Sequence, residues 1–211
     1  MERSDAEILW EVARVLSRDA AKVSHARTLP PLLFFTDPVR TPRPWEIAAR
    51  LPAGSGVVYR AFGATDARET ALRLREATQE RVTLLIGLDE ELAKTCHADG
   101  LHLPERALDQ AAALRAAHPD WLLTGAVHGP RALSEVAELD AAVLSPVFPA
   151  GGASAERPAV GVEAFSDLVS RAPCPLYALG GINARNAASL IGSHACGIAA
   201  IGSIQTAFGA D

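Results

Sequence analysis

Lysine is scarce in this sequence. Only Lys22 and Lys94 occur among 20 basic residues, against 25 acidic ones, and the formal net charge is −5. No Lys/Arg cluster or basic stripe is present, so the electrostatic footprint of a nucleic-acid binder is missing. Cysteine is scarce as well. Cys96, Cys174 and Cys196 lie far apart, are odd in number and never fall in CxxC spacing, which argues against a zinc knuckle or a disulfide framework. They read as three small buried hydrophobes. No apolar run reaches the ~20 residues that a membrane span needs. Met1 to Asp19 is charged throughout and lacks the apolar centre of a signal peptide, so the expected location is the cytoplasm. No linker-like tract divides the chain, and 211 residues at 49% hydrophobic suit one core.

What is present is an alternation. Asp5 to Lys22 carries a helical stripe of Ile8, Val12, Val15 and Leu16. Ser4 and Glu7 make a capping-box pattern ahead of it, and Pro30-Pro31 closes the segment. Residues 1–29 are therefore expected to form a helical extension, and 30–211 the main domain. Eight short apolar runs follow: Leu32–Thr36, Gly56–Arg60, Thr83–Ile86, Gly100–Leu103, Trp121–Gly125, Ala141–Leu144, Leu176–Leu179 and Gly197–Ile201. Most are continuously apolar, as strands buried on both faces are. Helical patterns separate them: Trp45–Leu51, Asp66–Thr78, Asp89–His97, Glu105–His118, Pro130–Glu138, Val162–Arg171 and Ala184–Ile191.

Strand–helix alternation predicts an α/β fold with a parallel sheet. Eight units predict a closed (β/α)₈ TIM barrel, here with an added N-terminal helix and a short final helix over Ile204–Phe208. An open doubly wound sheet would want a glycine-rich loop after its first strand, where this chain has Phe35-Thr36-Asp37-Pro38. The added helix fits either the gap left by the short last helix or the barrel floor. Phe148 to Gly161 is the longest irregular stretch, and on a barrel it lies on the active-site face.

Candidate chemistry gathers at the ends of the last two strands. Ala178-Leu179-Gly180-Gly181-Ile182-Asn183 follows the seventh and Ile201-Gly202-Ser203-Ile204 the eighth. Glycine lets backbone N–H groups approach a ligand, and Ser203 would open the last helix, where an anion is favoured. Each turn alone reads equally well as a steric need for glycine. Together they favour a phosphate cradle of Gly180, Gly181, Gly202 and Ser203. Arg60, alone at a strand end, needs an anionic partner. Asp37 either orients Arg60 or caps a turn, and the turn is favoured. His102, inside the fourth strand, reads as packing.

These segments resemble the thiamine phosphate synthase/TenI family from Leu33 to about Ala207. Phe35-Thr36-Asp37 is similar to the family's opening strand end. Asp99-Gly100-Leu101-His102-Leu103 resembles its DGVHL strand, and Ser145-Pro146-Val147-Phe148-Pro149 its GPVFP segment. The two glycine turns resemble its phosphate cradle. The resemblance implies thiamine metabolism, a small phosphorylated heterocycle (a thiazole phosphate or thiamine phosphate) as partner, and a homo-oligomer left open.

The departures cluster on one half of that site. Family synthases expel pyrophosphate, which needs Mg²⁺ and several cations. The family's Gln-x-Arg-x-Lys becomes Val58-Tyr59-Arg60-Ala61-Phe62, keeping only Arg60. Its Asn-Asp pair becomes Gly87-Leu88, and its metal-binding turn becomes Pro104-Glu105-Arg106-Ala107. Its Thr-x-Thr-Lys becomes Ala150-Gly151-Gly152-Ala153. No metal ligand and no cofactor is expected, Mg²⁺ being the family's, and Arg60 is expected to be nearly alone against a ligand's charge. TenI relatives instead tautomerise a thiazole carboxylate phosphate, with a histidine in a Ser-Val-His segment. Ala126-Val127-His128 keeps that histidine. His128 is either a proton shuttle or a solvent-capped helix-start residue. Three functions stay open: a synthase, a tautomerase using His128 and Arg60, and a non-catalytic phosphate-ligand sensor or partner subunit.

Overall fold

A computed structural model describes residues 3–22, 27–152 and 156–209. Helix α1, Asp5–Ala21, comes first. Its capping box forms as expected: Glu7 N–H donates to Ser4 Oγ at 3.2 Å, and Ser4 N–H to Glu7 Oε2 at 2.8 Å. Eight strands follow: β1 Leu32–Phe35, β2 Gly56–Tyr59, β3 Thr83–Gly87, β4 Gly100–Leu103, β5 Leu122–Val127, β6 Ala141–Leu144, β7 Leu176–Leu179 and β8 Gly197–Ala200. All pair in parallel in chain order, and β8 returns to β1 with Leu33 opposite Ala199. The sheet closes into a barrel.

The helices between strands are α2 Pro44–Ala48, α3 Ala67–Thr78, α4 Glu90–Thr95, α5 Ala111–Ala117, α6 Val162–Arg171 and, last, α7 Gly202–Phe208. Three segments predicted as helix are shorter or tighter. Pro130–Glu135 and Ala187–Leu190 are 3₁₀ turns, and Glu105–Gln110, ahead of α5, is a 3₁₀ segment kinked at Ala107, whose φ is −125°. Local side chains compete with the helical ladder in the first two. Ser134 Oγ donates to Arg131 O, and Asn186 Oδ1 accepts from Asn183 N–H.

Continuous apolar runs are needed because each strand buries both faces. Leu33, Phe35, Val58, Leu85, Val143 and Tyr177 form one core inside the barrel. Their neighbours Leu32, Phe34, Val57, Leu84, Ile86 and Leu144 belong to a second core shared with the helices. Helix α1 buries Leu9, Val12, Ala13 and Leu16 and packs on β1, β8 and α7, so it covers the flank beside the short last helix and not the floor. Each fully buried leucine contributes roughly 1.5–3 kcal/mol. Cys96, Cys174 and Cys196 are all buried and free. Burial pushes the Cys174 thiol up to about 12. Among the described residues, no helix is long and apolar enough to cross a membrane.

Candidate ligand site

The C-terminal ends of the strands open on a cavity of about 820 Å³, within the range of ordinary ligand pockets. Inward-facing Phe35, His102, Ala126, Val143 and Ser145 line its depth. The rim comes from the loops that follow the strands. Gly180, Gly181, Gly202 and Ser203 all reach it, as do Arg60 and His128. The residues singled out in the sequence are therefore brought to one mouth.

The four cradle residues are not equivalent. Gly180 and Gly181 have φ of +100° and +65°, and a Cβ on Gly181 would lie 2.4 Å from Pro149 O. One on Gly180 would lie 2.8 Å from Pro146 Cα. The fold itself demands both glycines. Gly202 differs: its backbone is not left-handed, and an added Cβ would meet no protein atom within 4 Å. Nothing in the packing asks for glycine there. Beside it, Ser203 Oγ is buried without a hydrogen-bond partner among the described residues. An orphaned buried hydroxyl costs about 1–3 kcal/mol unless something reaches it. Helix α7 has only seven residues, so what this turn offers a ligand is an open backbone and a free hydroxyl more than a helix dipole. Asn186 Nδ2 braces the turn after β7 by donating to Gly181 O at 2.9 Å.

Arg60 stands directly after β2. Its Nε donates to Thr36 O at 2.9 Å, and its guanidinium carbon lies 5.5 Å from the Phe35 ring and 5.1 Å from the Phe62 ring. Burial lowers it to about 10, which still leaves it charged at neutral pH. Asp37 does not bond it. One Asp37 oxygen accepts from Val39 N–H and Arg40 N–H, and the other pairs with Arg40 at 3.0 Å. The carboxylate caps its own turn.

Arg60 is not alone, and that expectation is corrected. Arg40 after β1, Arg106 after β4 and Arg157 in the loop after β6 line the same cavity. Among the described residues, Arg106 and Arg157 make no ion pair. Arg106 lies in the 3₁₀ segment after β4 and Arg157 in the irregular stretch after β6, and only barrel closure makes them neighbours.

His128 follows β5, which runs two residues beyond its expected end at Gly125. Its ring lines the mouth. Glu105 Oε2 accepts from His128 N–H at 2.6 Å and lies 2.7 Å from Nδ1. An ionised carboxylate only accepts, so in the neutral imidazole the hydrogen-bond network assigns the proton to Nδ1 and leaves Nε2 as the acceptor or base. The His128 ring thus has a protein partner at the start of its turn. Glu105 itself was not singled out in the sequence. Its signal was a carboxylate two residues past a barrel strand.

Residues 43–204 match the family model described as thiamine monophosphate synthase. The chain belongs to this family. It is 32% identical over 142 residues to a thiamine-phosphate synthase of Methanoculleus marisnigri, covering 66% of this chain and 67% of that one. It is 33% identical over 132 residues to one of Chlorobium phaeovibrioides, covering 61% and 63%. The match thus spans about two thirds of these relatives' length. A thiamine phosphate pyrophosphorylase from Pyrococcus furiosus shares the fold, with a TM-score of 0.70, 22% identity, and coverage of 84% of this chain and 91% of that one.

The carboxylates at the mouth of this thiamine monophosphate synthase family member already have partners. Asp37 is committed to Arg40 and its turn, Glu105 to His128, and Asp89 caps Leu92 N–H at 2.9 Å. Among the described residues no three His, Cys, Asp or Glu converge. Ala153, last of the segment that stands for Thr-x-Thr-Lys, lies outside the described residues.

His102 is a buried residue of the barrel interior, as expected. Its Nδ1 lies 3.0 Å from Thr124 Oγ1, and its ring meets Phe35 edge-on at 4.9 Å. Burial, and then the Arg60 charge, hold it down to about 3. The folded protein thus keeps a neutral imidazole where the unfolded chain, with an ordinary value near ~6.5, takes up a proton. Stability is expected to fall as pH drops from about 6.5 towards 3, by up to ~1.4 kcal/mol per pH unit from this residue. Denaturant titrations at pH 7, 6 and 5 would show a shallower decline in His102→Gln. Parallel declines in both proteins would disprove the assignment.

Proposed function

We propose that this cytoplasmic barrel binds a thiazole phosphate or thiamine phosphate at the mouth and, without a metal, moves a proton on the bound heterocycle. The His128–Glu105 pair carries this reading. A histidine whose Nδ1 proton is held by a carboxylate presents Nε2 to a cavity that also contains an open anion cradle. Such an imidazole takes a proton from one ring carbon and returns it to another, so that atoms and charge balance without a leaving group. Gly202 and Ser203 would hold the phosphate, and Arg60 and its neighbours would meet a carboxylate or second anionic group. Loss of the Mg²⁺–pyrophosphate half of the site fits this chemistry.

A second reading has a specific observation behind it. Arg40, Arg106 and Arg157 add charge around Arg60, which favours a synthase that meets pyrophosphate with guanidinium groups. Calorimetric titration with thiazole phosphate, with excess Mg²⁺ and then with a chelator, separates the two. The isomerase reading expects binding that is indifferent to Mg²⁺, and no thiamine phosphate when the pyrimidine pyrophosphate is added. Rapid Mg²⁺-dependent product formation would establish the synthase instead. Ligand binding without any turnover would leave the sensor reading.

A further inference from the structure

The mouth has a side lobe of about 520 Å³ beyond Arg60, and its walls differ in character from the cradle. Phe62 and Leu88 stand on it, with Gly63 and Gly87 between them offering no side chains. Phe62 is 70% exposed, so its ring is not part of the core. Both residues take left-handed backbones, with φ of +48° and +61°. For a bulky residue that conformation costs about 1–3 kcal/mol, and it tends to occur where a site needs it. Two such residues at adjacent strand ends present apolar groups to one lobe.

One face of Phe62 is already used. The Arg60 guanidinium carbon lies 5.1 Å from its centroid and 5.5 Å from that of Phe35. That stack holds the Phe62 ring in place and leaves the rest of it open to the lobe. The ring face turned away from the guanidinium is a platform for a further π system. The lobe is continuous with the main cavity, since Arg60, Phe62, His102, Ala126 and His128 line both. A ligand anchored in the cradle can therefore extend into it.

We propose that Phe62 is a specificity-determining residue that stacks a flat, uncharged ring of the ligand in this lobe, with Leu88 against the ring's edge. The inference rests on the phosphate reading above. It distinguishes aromatic phosphate esters from aliphatic ones, which the cradle alone cannot do.

The test compares two probes, thiazole phosphate and glycerol 3-phosphate, by calorimetry. Phe62→Ala is expected to weaken the thiazole ester about three- to tenfold, the size of one aromatic stack, and to leave the glycerol ester unchanged. Phe62→Tyr should restore the thiazole affinity. Phe62→Gly, which suits the left-handed backbone, should behave as Phe62→Ala does and so rules out a folding artefact. Equal affinity of the thiazole ester for wild type and Phe62→Ala would overturn the platform while leaving the cradle intact. Equal weakening of both esters would overturn it too. Wild-type protein that binds neither ester would overturn the phosphate reading, a distinct outcome, and this inference with it.

Discussion

Replacing His128 with asparagine is expected to cut turnover of a thiazole carboxylate phosphate by about 10²–10⁴-fold, the usual contribution of a positioned general acid or base. Binding should be nearly unaffected. The asparagine amide can still donate to Glu105, and the backbone N–H of residue 128 keeps its own bond to that carboxylate. The cradle, on the other side of the mouth, is untouched. The loss should therefore fall on kcat and not on KM. Glu105→Gln probes the same proton from behind. It keeps the shape but replaces the charged acceptor of the Nδ1 proton with a neutral amide, and a smaller loss of about tenfold is expected. Full turnover in His128→Asn would rule out the isomerase assignment.

The second large effect concerns Gly202. Gly202→Val is expected to weaken phosphate-ester binding about 10²-fold or more, because charge-assisted hydrogen bonds contribute roughly 1.5–3 kcal/mol each and two are blocked. The fold should not suffer, because an added Cβ at 202 meets no protein atom within 4 Å. Gly202→Ala should raise thermal stability slightly while lowering affinity, since alanine is the better helix residue by up to ~1 kcal/mol and position 202 begins α7. Opposite signs in a melting curve and a binding isotherm are hard to produce with a merely structural glycine. Gly181 is the wrong place for this test. Its Cβ would strike the Phe148–Pro149 backbone, so Gly181→Val should destabilise the β6 and β7 loops whatever they bind. An unaltered isotherm for Gly202→Val would remove the cradle from the site.

The barrel was legible because its cause is local. A parallel strand covered on both faces must be apolar at consecutive positions, and all eight such runs became strands. The capping box of α1 was equally plain, being a two-residue hydrogen-bond pattern. The 3₁₀ turns at Pro130–Glu135 and Ala187–Leu190 were less so. An apolar period cannot show that Ser134 or Asn186 will spend its side chain on the backbone.

The site divides in the same way. The glycine turns and His128 could be placed from order along the chain, because residues just past the strands of a closed barrel share one face. The sequence determined, by itself, that these groups meet at the mouth and that the Asn-Asp and Gln-x-Arg-x-Lys patterns of the family are missing. Only the tertiary structure decided which glycines are free for a ligand. The segment after β6 approaches both turn glycines, Pro146 at Gly180 and Phe148–Pro149 at Gly181, and nothing comparable approaches Gly202. Only the structure showed that Glu105 grips His128 across 23 residues, and that Arg40, Arg106 and Arg157 stand around Arg60. The reason is physical. Chain order sets which end of the barrel a residue occupies, but distances between side chains on different loops arise only when the eighth strand pairs with the first.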